Sequence, residues 1–583
     1  MKKKIFYVLM IACIGITSIV NTSCSNQTDL VANEQQEKAG PEGVLISFGL
    51  SAEDYGTDTE VGTRGISNAQ SGRVIATSTA SLGNDLEVLT EVVEDNAPKT
   101  RAGRGPVPSA NYIILAYKDG KKMAEWKGSV PVEIRKTGTE LDKGTSFVLS
   151  NDSPDPAMKH LQPGTYKFYV FNTNRIYITD GKIKTDITKK GSRDAYSFVG
   201  NVTIPDVKKH KLEFVLKPMY ARVRTKIKAY TKGAFRGNFN GNSVYQQGTF
   251  EELYIDPATG DTTHTTARQE GRLNYGQFKD NPREAHEGKN NEIPYYYIIS
   301  PDYTGNFFLE GTKLSQISFE FPRGTGAWLY GNSVGDIKIP TTLNKEVILK
   351  GGKSYTLVYT MYKKADYVFN DGTGNLSVGS ILANKGKTPV ALVVNKDKKL
   401  AIAIKDLNGT APWVTDNAYH AKTLYPQTVE GLALIVGKYE GYLESSNKNY
   451  TMNNKGRGIA RDYEYKFTAF NNVSNLLMVD YVVRYIPGGG EWDAALKYLG
   501  ITNPSNGFNA PTAVENRWGG DFEYGLQEAL FYQVGGKPLN GTYWGAQEWS
   551  GYKALTVTAT PTGAYFGGMA TNSQGLVRPF IKY

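Results

Sequence analysis

Period-two alternation of apolar and polar residues dominates the first two-thirds of this chain. The clearest instance is Ala221, Val223, Thr225 and Ile227 interleaved with Arg222, Arg224, Lys226 and Lys228, which predicts a half-buried antiparallel strand with a basic outer face. That face reads as solvation and edge protection rather than as a nucleic-acid site. Shorter runs predict strands at 112–117, 166–170, 202–204 and 212–216, with Tyr166, Phe168 and Val170 lining one face and Leu212, Phe214 and Leu216 another. Turn chemistry separates them. Asp119-Gly120 is a strong hairpin signal, Leu161-Gln162-Pro163-Gly164-Thr165 is a turn, and Pro218 ends the 212–216 run. Upstream, 44–50 is a strong strand and 86–93 a second, in a stretch (25–105) that otherwise reads as a poorly packed leader. Two loops with small neighbours, around Arg64 and around Arg101, suit a trypsin-like protease.

The character changes from Asp366 onward. Apolar runs at 389–394 and 400–404 predict a buried hairpin-like pair. Helical spacing then takes over. Trp492, Ala495, Leu496 and Leu499 share one helical face between Pro487-Gly488-Gly489-Gly490 and Gly500, and 521–531 reads as another short helix. Strands at 554–558 and 563–566 follow, then Val577-Arg578-Pro579-Phe580.

Composition agrees with a mainly β chain. In 583 residues there are 62 Gly and 38 Tyr, more suited to many short strands than to long helices. The 67 basic and 57 acidic residues are spread rather than blocked, and no basic tract interleaved with aromatics suggests nucleic acid. Affinity for acidic surfaces or anionic glycans is an equal alternative, with a plainly solvated surface ahead of both. Cys13 and Cys24 are the only cysteines, so a mature chain starting at or after Cys24 has no internal disulfide and no thiolate zinc cluster. The five histidines (160, 210, 264, 286, 420) lie singly, without metal-ligand spacing, and no Gly-x-Ser-x-Gly elbow is present. No catalytic residue, metal or cofactor is therefore expected. Gly351-Gly352-Lys353-Ser354 is not a phosphate loop, because the first glycine of that motif is missing and a strand pattern follows where a helix is required.

The N-terminus resembles a bacterial lipoprotein signal. Lys2-Lys3-Lys4 precedes an apolar run at 5–20, too short and too broken by Gly15 to span a bilayer, and Ser23 stands before Cys24. The resemblance implies lipidation of Cys24 after cleavage, although Asn21 stands where an aliphatic residue is usual. An ordinary signal peptide with an incidental cysteine is the alternative. No later apolar stretch approaches the roughly 20 residues a spanning helix needs.

Three further stretches resemble the fimbrillin family, the subunits of type V pili: residues 161–170, 216–223 and Gly352-Lys353-Ser354-Tyr355-Thr356. The family implies two tandem transthyretin-like β-sandwiches. It also implies removal of the lipidated leader by an Arg-specific protease, which opens a groove that a neighbouring subunit's strand fills. Here the donated leader strand would be 44–50, cut after Arg64 or Arg101, with Arg64 closer to the strand and an uncut chain as the alternative. Beyond residue 365, Ile486-Pro487-Gly488-Gly489-Gly490-Glu491-Trp492, Tyr543-Trp544-Gly545-Ala546-Gln547-Glu548 and Val577-Arg578-Pro579 resemble C-type-lectin-like domains of bacterial surface proteins. The calcium and sugar motifs of animal lectins are missing, and so are the working cysteines of sulfatase-activating enzymes with that fold. Trp492 and Trp544 read as core, whereas Trp549 and Trp518, the latter in a Gly-rich loop-like stretch, are candidate ligand-binding residues.

The expected organisation is a signal peptide (1–24), a leader with a donor-type strand (25–105), two sandwiches (106–219 and 220–364) and an α+β lectin-like unit (365–583). The expected function is that of a structural and adhesive fimbrial subunit at a pilus tip, not an enzyme. Its partners would be other fimbrial subunits through donor-strand exchange, host or bacterial glycans or proteins, and the outer membrane through lipid before processing. Nucleic acid is not expected. The tip assignment rests on 577–583, which read as a closing strand with nothing to donate. A basal anchor, a stalk subunit and a non-polymerising glycan-binding surface lipoprotein are the alternatives.

Overall fold

The computed structural model describes the chain outside residues 1–36, 54, 56–72, 96–103, 106, 109, 131–144, 150–159, 187–194, 281–295, 302–304, 325, 372–375, 378–387, 417–418, 422–423, 426–433, 436–437, 442–450, 454–455, 458–466, 475–482, 502–517, 524, 550–551 and 562. It is mainly β, as the alternation predicts.

The leader supplies three long strands, β1 (Val44–Glu53), β2 (Arg73–Gly83) and β3 (Leu86–Glu94), and the two-residue piece Arg104–Gly105. They do not stay together. β1 joins a sheet with β4 (Ala110–Lys118), β5 (Lys121–Val130), β6 (Gly164–Asn172), β7 (Tyr196–Ile204) and β8 (Lys209–Pro218), in the order β1-β8-β7-β6-β4-β5. The segment 145–149 ties the two ends of this sheet together, since Thr145 and Ser146 pair with β1 while Val148 and Leu149 pair with β5. The predicted hairpin at Asp119-Gly120 is present. Both residues take positive φ (51° and 73°), as a type I′ turn requires. Tyr166, Phe168, Val170, Leu212, Phe214 and Leu216 all point into one buried core.

β2 and β3 form a hairpin at the edge of a second sheet. It continues through β9 (Tyr220–Ala229), β10 (Phe239–Tyr245), β11 (Gly271–Asp280), β12 (Tyr297–Pro301), β13 (Ile317–Glu320) and β14 (Ser354–Lys363) in the order β2-β3-β14-β9-β12-β11-β10-β13. The free edge of β2 meets the far end of the unit at Asn344, whose side-chain oxygen accepts the Thr77 N–H and whose own N–H donates to the Thr77 carbonyl. The leader is therefore not poorly packed. Val44, Ile46 and Leu50 are core residues of the first unit, and Leu86, Val88 and Val92 of the second.

β9 departs from its expectation in two ways. It runs parallel to β14, being antiparallel only to β12 and to Asn306–Leu309. Its basic face is also covered, with Arg224, Lys226 and Lys228 all buried. The reason is non-local. Asp95, just past β3, reaches Arg224, Tyr55 lies under Arg222, and Tyr296 lies 4.1 Å from the Lys228 ammonium. Burial pulls that ammonium down to about 8, the direction expected when a cation is desolvated. Ser354 of the glycine-rich string opens a strand rather than a helix, as read.

The third unit carries β15 (Asp366–Phe369), β16 (Pro389–Asn395) and β17 (Leu400–Ala403), a short helix at Thr468–Ser474, helices α1 (Gly489–Tyr498) and α2 (Leu526–Tyr532), an edge strand β18 (Trp518–Asp521), and β19 (Gly541–Trp549), β20 (Lys553–Ala559), β21 (Gly563–Ala570) and β22 (Phe580–Lys582). Trp492, Ala495, Leu496 and Leu499 are buried on the predicted face of α1. The glycines before it are needed for close approach: a Cβ on Gly490 would lie 2.5 Å from the Lys438 carbonyl oxygen. The third unit shares one core with the second. Gln533 clamps the junction by accepting the Lys363 N–H and donating to both the Lys363 carbonyl and the Tyr367 hydroxyl.

Candidate strand-exchange site

β1 reads Val-Leu-Ile-Ser-Phe-Gly-Leu-Ser-Ala-Glu, and its even-numbered positions face inward. Val44, Ile46, Leu50 and Ala52 are buried, and Phe48 packs edge-on against Trp126 at 5.0 Å and beside Phe214 at 6.2 Å. At about 1.5–3 kcal/mol for each large apolar side chain buried, Val44, Ile46, Phe48 and Leu50 together contribute roughly 6–12 kcal/mol. Both backbone edges of β1 are occupied. One edge pairs in parallel with β8 from Leu45↔Lys209 to Ala52↔Leu216. The other is met antiparallel by three two-residue pieces: Leu161 and His160 opposite Val44 and Leu45, Ser146 and Thr145 opposite Gly49 and Leu50, and Gly105 and Arg104 opposite Ala52 and Glu53. Loss of β1 would open an apolar slot with unpaired donors and acceptors on each side, which only another strand satisfies.

Among the described residues no buried ion pair involves β1. Its acidic end, Glu53, faces Lys217 at 3.6 Å on the surface. Beyond β1, Tyr55 is buried between the first and second units, its ring 5.5 Å from Phe307 and its hydroxyl donating to the Tyr220 carbonyl.

The other end of the chain is also a bound strand. β22 lies between β17 and Val483–Tyr485, with Phe580 opposite Ile402 on one side and Tyr485 on the other. Phe580 and Ile581 are fully buried. Behind them, Arg578 is fully buried, 2.6 Å from the Asp406 carboxylate, and donates to the carbonyls of Ala403 and Lys537 at 3.0 and 2.9 Å.

Cys24, Arg64 and Arg101 lie outside the described residues. Trp518 opens the edge strand β18, paired with Phe566 of β21, so its backbone is a strand and not the loop expected. Trp549 ends β19 opposite Lys553. The two sit in one sheet, on opposite sides of β20 and β21. Trp492 and Trp544 are core residues, as read: the Trp492 ring packs 5.0 Å from Phe580, and the Trp544 ring nitrogen donates to the Ala411 carbonyl at 2.7 Å. Glu491 accepts the Gly488 N–H at 2.8 Å, closing the first turn of α1, and the Gly441 N–H at 3.2 Å. Burial raises its carboxyl to about 7. Among the described residues no cluster of three or more His, Cys, Asp or Glu is arranged to hold a metal.

The alternation did not reveal β2, Tyr55 or Asp95. For β2 a usable signal existed in Gly83-Asn84-Asp85, where Asn84 and Asp85 both adopt positive φ at the hairpin turn. Nothing local marks Asp95, whose partners lie far along the chain.

No protein-family model matches this chain, and no curated protein matches it in sequence. Several solved structures are similar to it. A fimbrial protein from Bacteroides ovatus shares 9% identity, with 93% of this chain and 99% of that one covered, at a TM-score of 0.23. A second protein from Bacteroides ovatus, described as a candidate cell adhesion protein, shares 13% identity over 54% of this chain and 91% of that one, at 0.29. The fimbrial anchor protein Mfa2 from Porphyromonas gingivalis shares 10% over 47% and 78%, at 0.20.

Proposed function

We propose that this chain is a non-enzymatic, adhesive fimbrial subunit of the cell surface, built from two transthyretin-like sandwiches and a C-type-lectin-like unit, and incorporated at the tip of a fibre by strand exchange. The observation that carries this reading is β1, an apolar leader strand inserted between partners on both edges of the first unit. In the proposed sequence, Cys24 carries lipid to the outer membrane, cleavage after Arg64 or Arg101 detaches β1 covalently, and a neighbouring subunit's strand takes the vacated slot. The stabilisation lost with β1 is too large for the slot to stay empty, so the incoming strand displaces β1 rather than following it.

Residues 580–582 are engaged on both edges while the third unit is folded, so they are not the strand offered to the next subunit. The third unit is then the adhesive head, with Trp518 and Trp549 as candidate contacts to a glycan or protein. The thorough integration of β1 favours one second reading, a basal anchor that keeps both its leader and its lipid. The experiment is to cleave the purified full-length chain with an Arg-specific protease and add a synthetic peptide of residues 44–53. Incorporation of the peptide, with release of the resident segment, is expected. Cleavage without any incorporation would rule out strand exchange.

A further inference from the structure

The leader contributes to two sheets, and the two contributions are anchored by different chemistry. β1 is held by apolar packing and by backbone pairing, with three two-residue pieces along one edge. Any strand of alternating apolar residues can make the same contacts. The hairpin of β2 and β3 is held in another way. β3 pairs with β14 along its whole length, from Leu86↔Lys363 to Glu94↔Tyr355, and the far edge of β2 is closed by Asn344. At the end of β3, the Asp95 N–H donates to the Ser354 carbonyl at 2.9 Å. The Asp95 carboxylate accepts the Thr356 hydroxyl at 3.0 Å and lies 2.6 Å from the Arg224 guanidinium. The two charged side chains are 0% and 7% exposed.

A buried ion pair is costly to break from one side, because the remaining charge keeps its desolvation penalty and loses its counter-charge. An apolar replacement strand would not supply that carboxylate to Arg224. We infer that the leader has two parts with different fates: β1 is the exchangeable strand, and the β2–β3 hairpin is a permanent part of the second unit, latched by Asp95 on Arg224. The first half of this statement rests on the strand exchange proposed above; the second half stands without it. Cleavage after Arg64 would then free β1 and Tyr55 and leave the hairpin covalently attached. Cleavage after Arg101 would sever the whole leader from the body with the hairpin still seated, so a displaced β1 would stay tethered to the hairpin.

The test uses the full chain with one site-specific protease sequence introduced within 56–72 and another within 96–103. After both cuts, labelled synthetic peptides of residues 37–55 and 73–95 are added in excess, and exchange is followed by native size-exclusion chromatography with mass spectrometry. The hairpin peptide is expected to exchange at least tenfold more slowly than the β1 peptide. Asp95→Asn is expected to speed hairpin exchange at least tenfold and leave β1 exchange unchanged. A double variant, Asp95→Leu with Arg224→Met, which replaces the pair by apolar groups, controls for folding and is expected to keep the hairpin seated. Ready exchange of both peptides at equal rates, or no effect of Asp95→Asn on a hairpin that does exchange, would overturn the inference. Exchange of neither peptide would overturn the proposed function while upholding the hairpin's permanence.

Discussion

Arg578 offers the sharpest energetic test of the third unit. Its side chain is fully buried, it lies 2.6 Å from Asp406, which is itself 6% exposed, and it donates to the carbonyls of Ala403, Lys537 and Pro538. The guanidinium also lies 5.1 Å from the Phe531 ring. Arg578→Met keeps much of the volume and removes the charge. Leaving one partner of a buried pair behind costs about 3–5 kcal/mol, and each abandoned buried carbonyl adds about 1 kcal/mol or more. A total of about 6 kcal/mol or more is therefore expected. At about 2 °C per kcal/mol, the low end for a unit of this size because the second unit shares its core, the melting temperature should fall by about 12 °C or more. Scanning calorimetry of the full chain reads this directly. Adding Asp406→Leu should recover a substantial part of the loss, since it removes the stranded carboxylate. A shift under about 2 °C, or a double variant no better than the single, would refute the reasoning.

Three other outcomes are expected. Glu491 is raised to about 7 from a usual value near 4.5, so the folded state holds this proton more tightly than the unfolded chain. Its stabilising contribution is full below pH 4.5 and is lost as pH rises through 7, on the order of 3 kcal/mol. Glu491→Gln should flatten that decline in urea titrations at pH 5 and 7.5, and an unchanged difference between the two would contradict the assignment. Gly525, at φ +63°, would place a Cβ 2.6 Å from the Thr231 hydroxyl at the junction of the second and third units. Gly525→Ala should therefore cost about 2 kcal/mol, visible as a lower melting temperature of the joint block. Leu50→Ala should cost about 2–5 kcal/mol and lower chiefly the transition of the first unit, whose central cluster holds Leu50, although a smaller cluster around Tyr169, Tyr220 and Phe307 joins the first and second units. A uniform shift of all transitions would argue against that localisation.

Legibility in the sequence tracked the range of the interactions. Asp119-Gly120, the Tyr166-Phe168-Val170 face and helix α1 are set by neighbours within a few residues, and local alternation or helical spacing reported each of them. β1 was legible because five inward positions repeat with period two. β2 was not: its turns of Thr, Ser and Ala bury only Ala76 and Ser78, and its place comes from pairing with β3. The basic row of β9 is the instructive failure. Read locally, four basic residues on alternate positions belong in water. Arg224, Lys226 and Lys228 are buried because the leader returns across the sequence to meet them, Asp95 bonding Thr356 at a separation of 261 residues. Trp518 failed for a similar reason, since Trp-Gly-Gly-Asp has no strand pattern of its own and is held extended by β21.

The central claim is that β1 is supplied in the precursor and replaced in the fibre. Intact-mass and N-terminal mass spectrometry of the subunit taken from assembled fibres tests it most directly. A chain that begins between residues 56 and 73, lacks β1 and retains the hairpin is expected. Assembled fibres whose subunit still carries residues 44–53 and a lipidated Cys24 would contradict it.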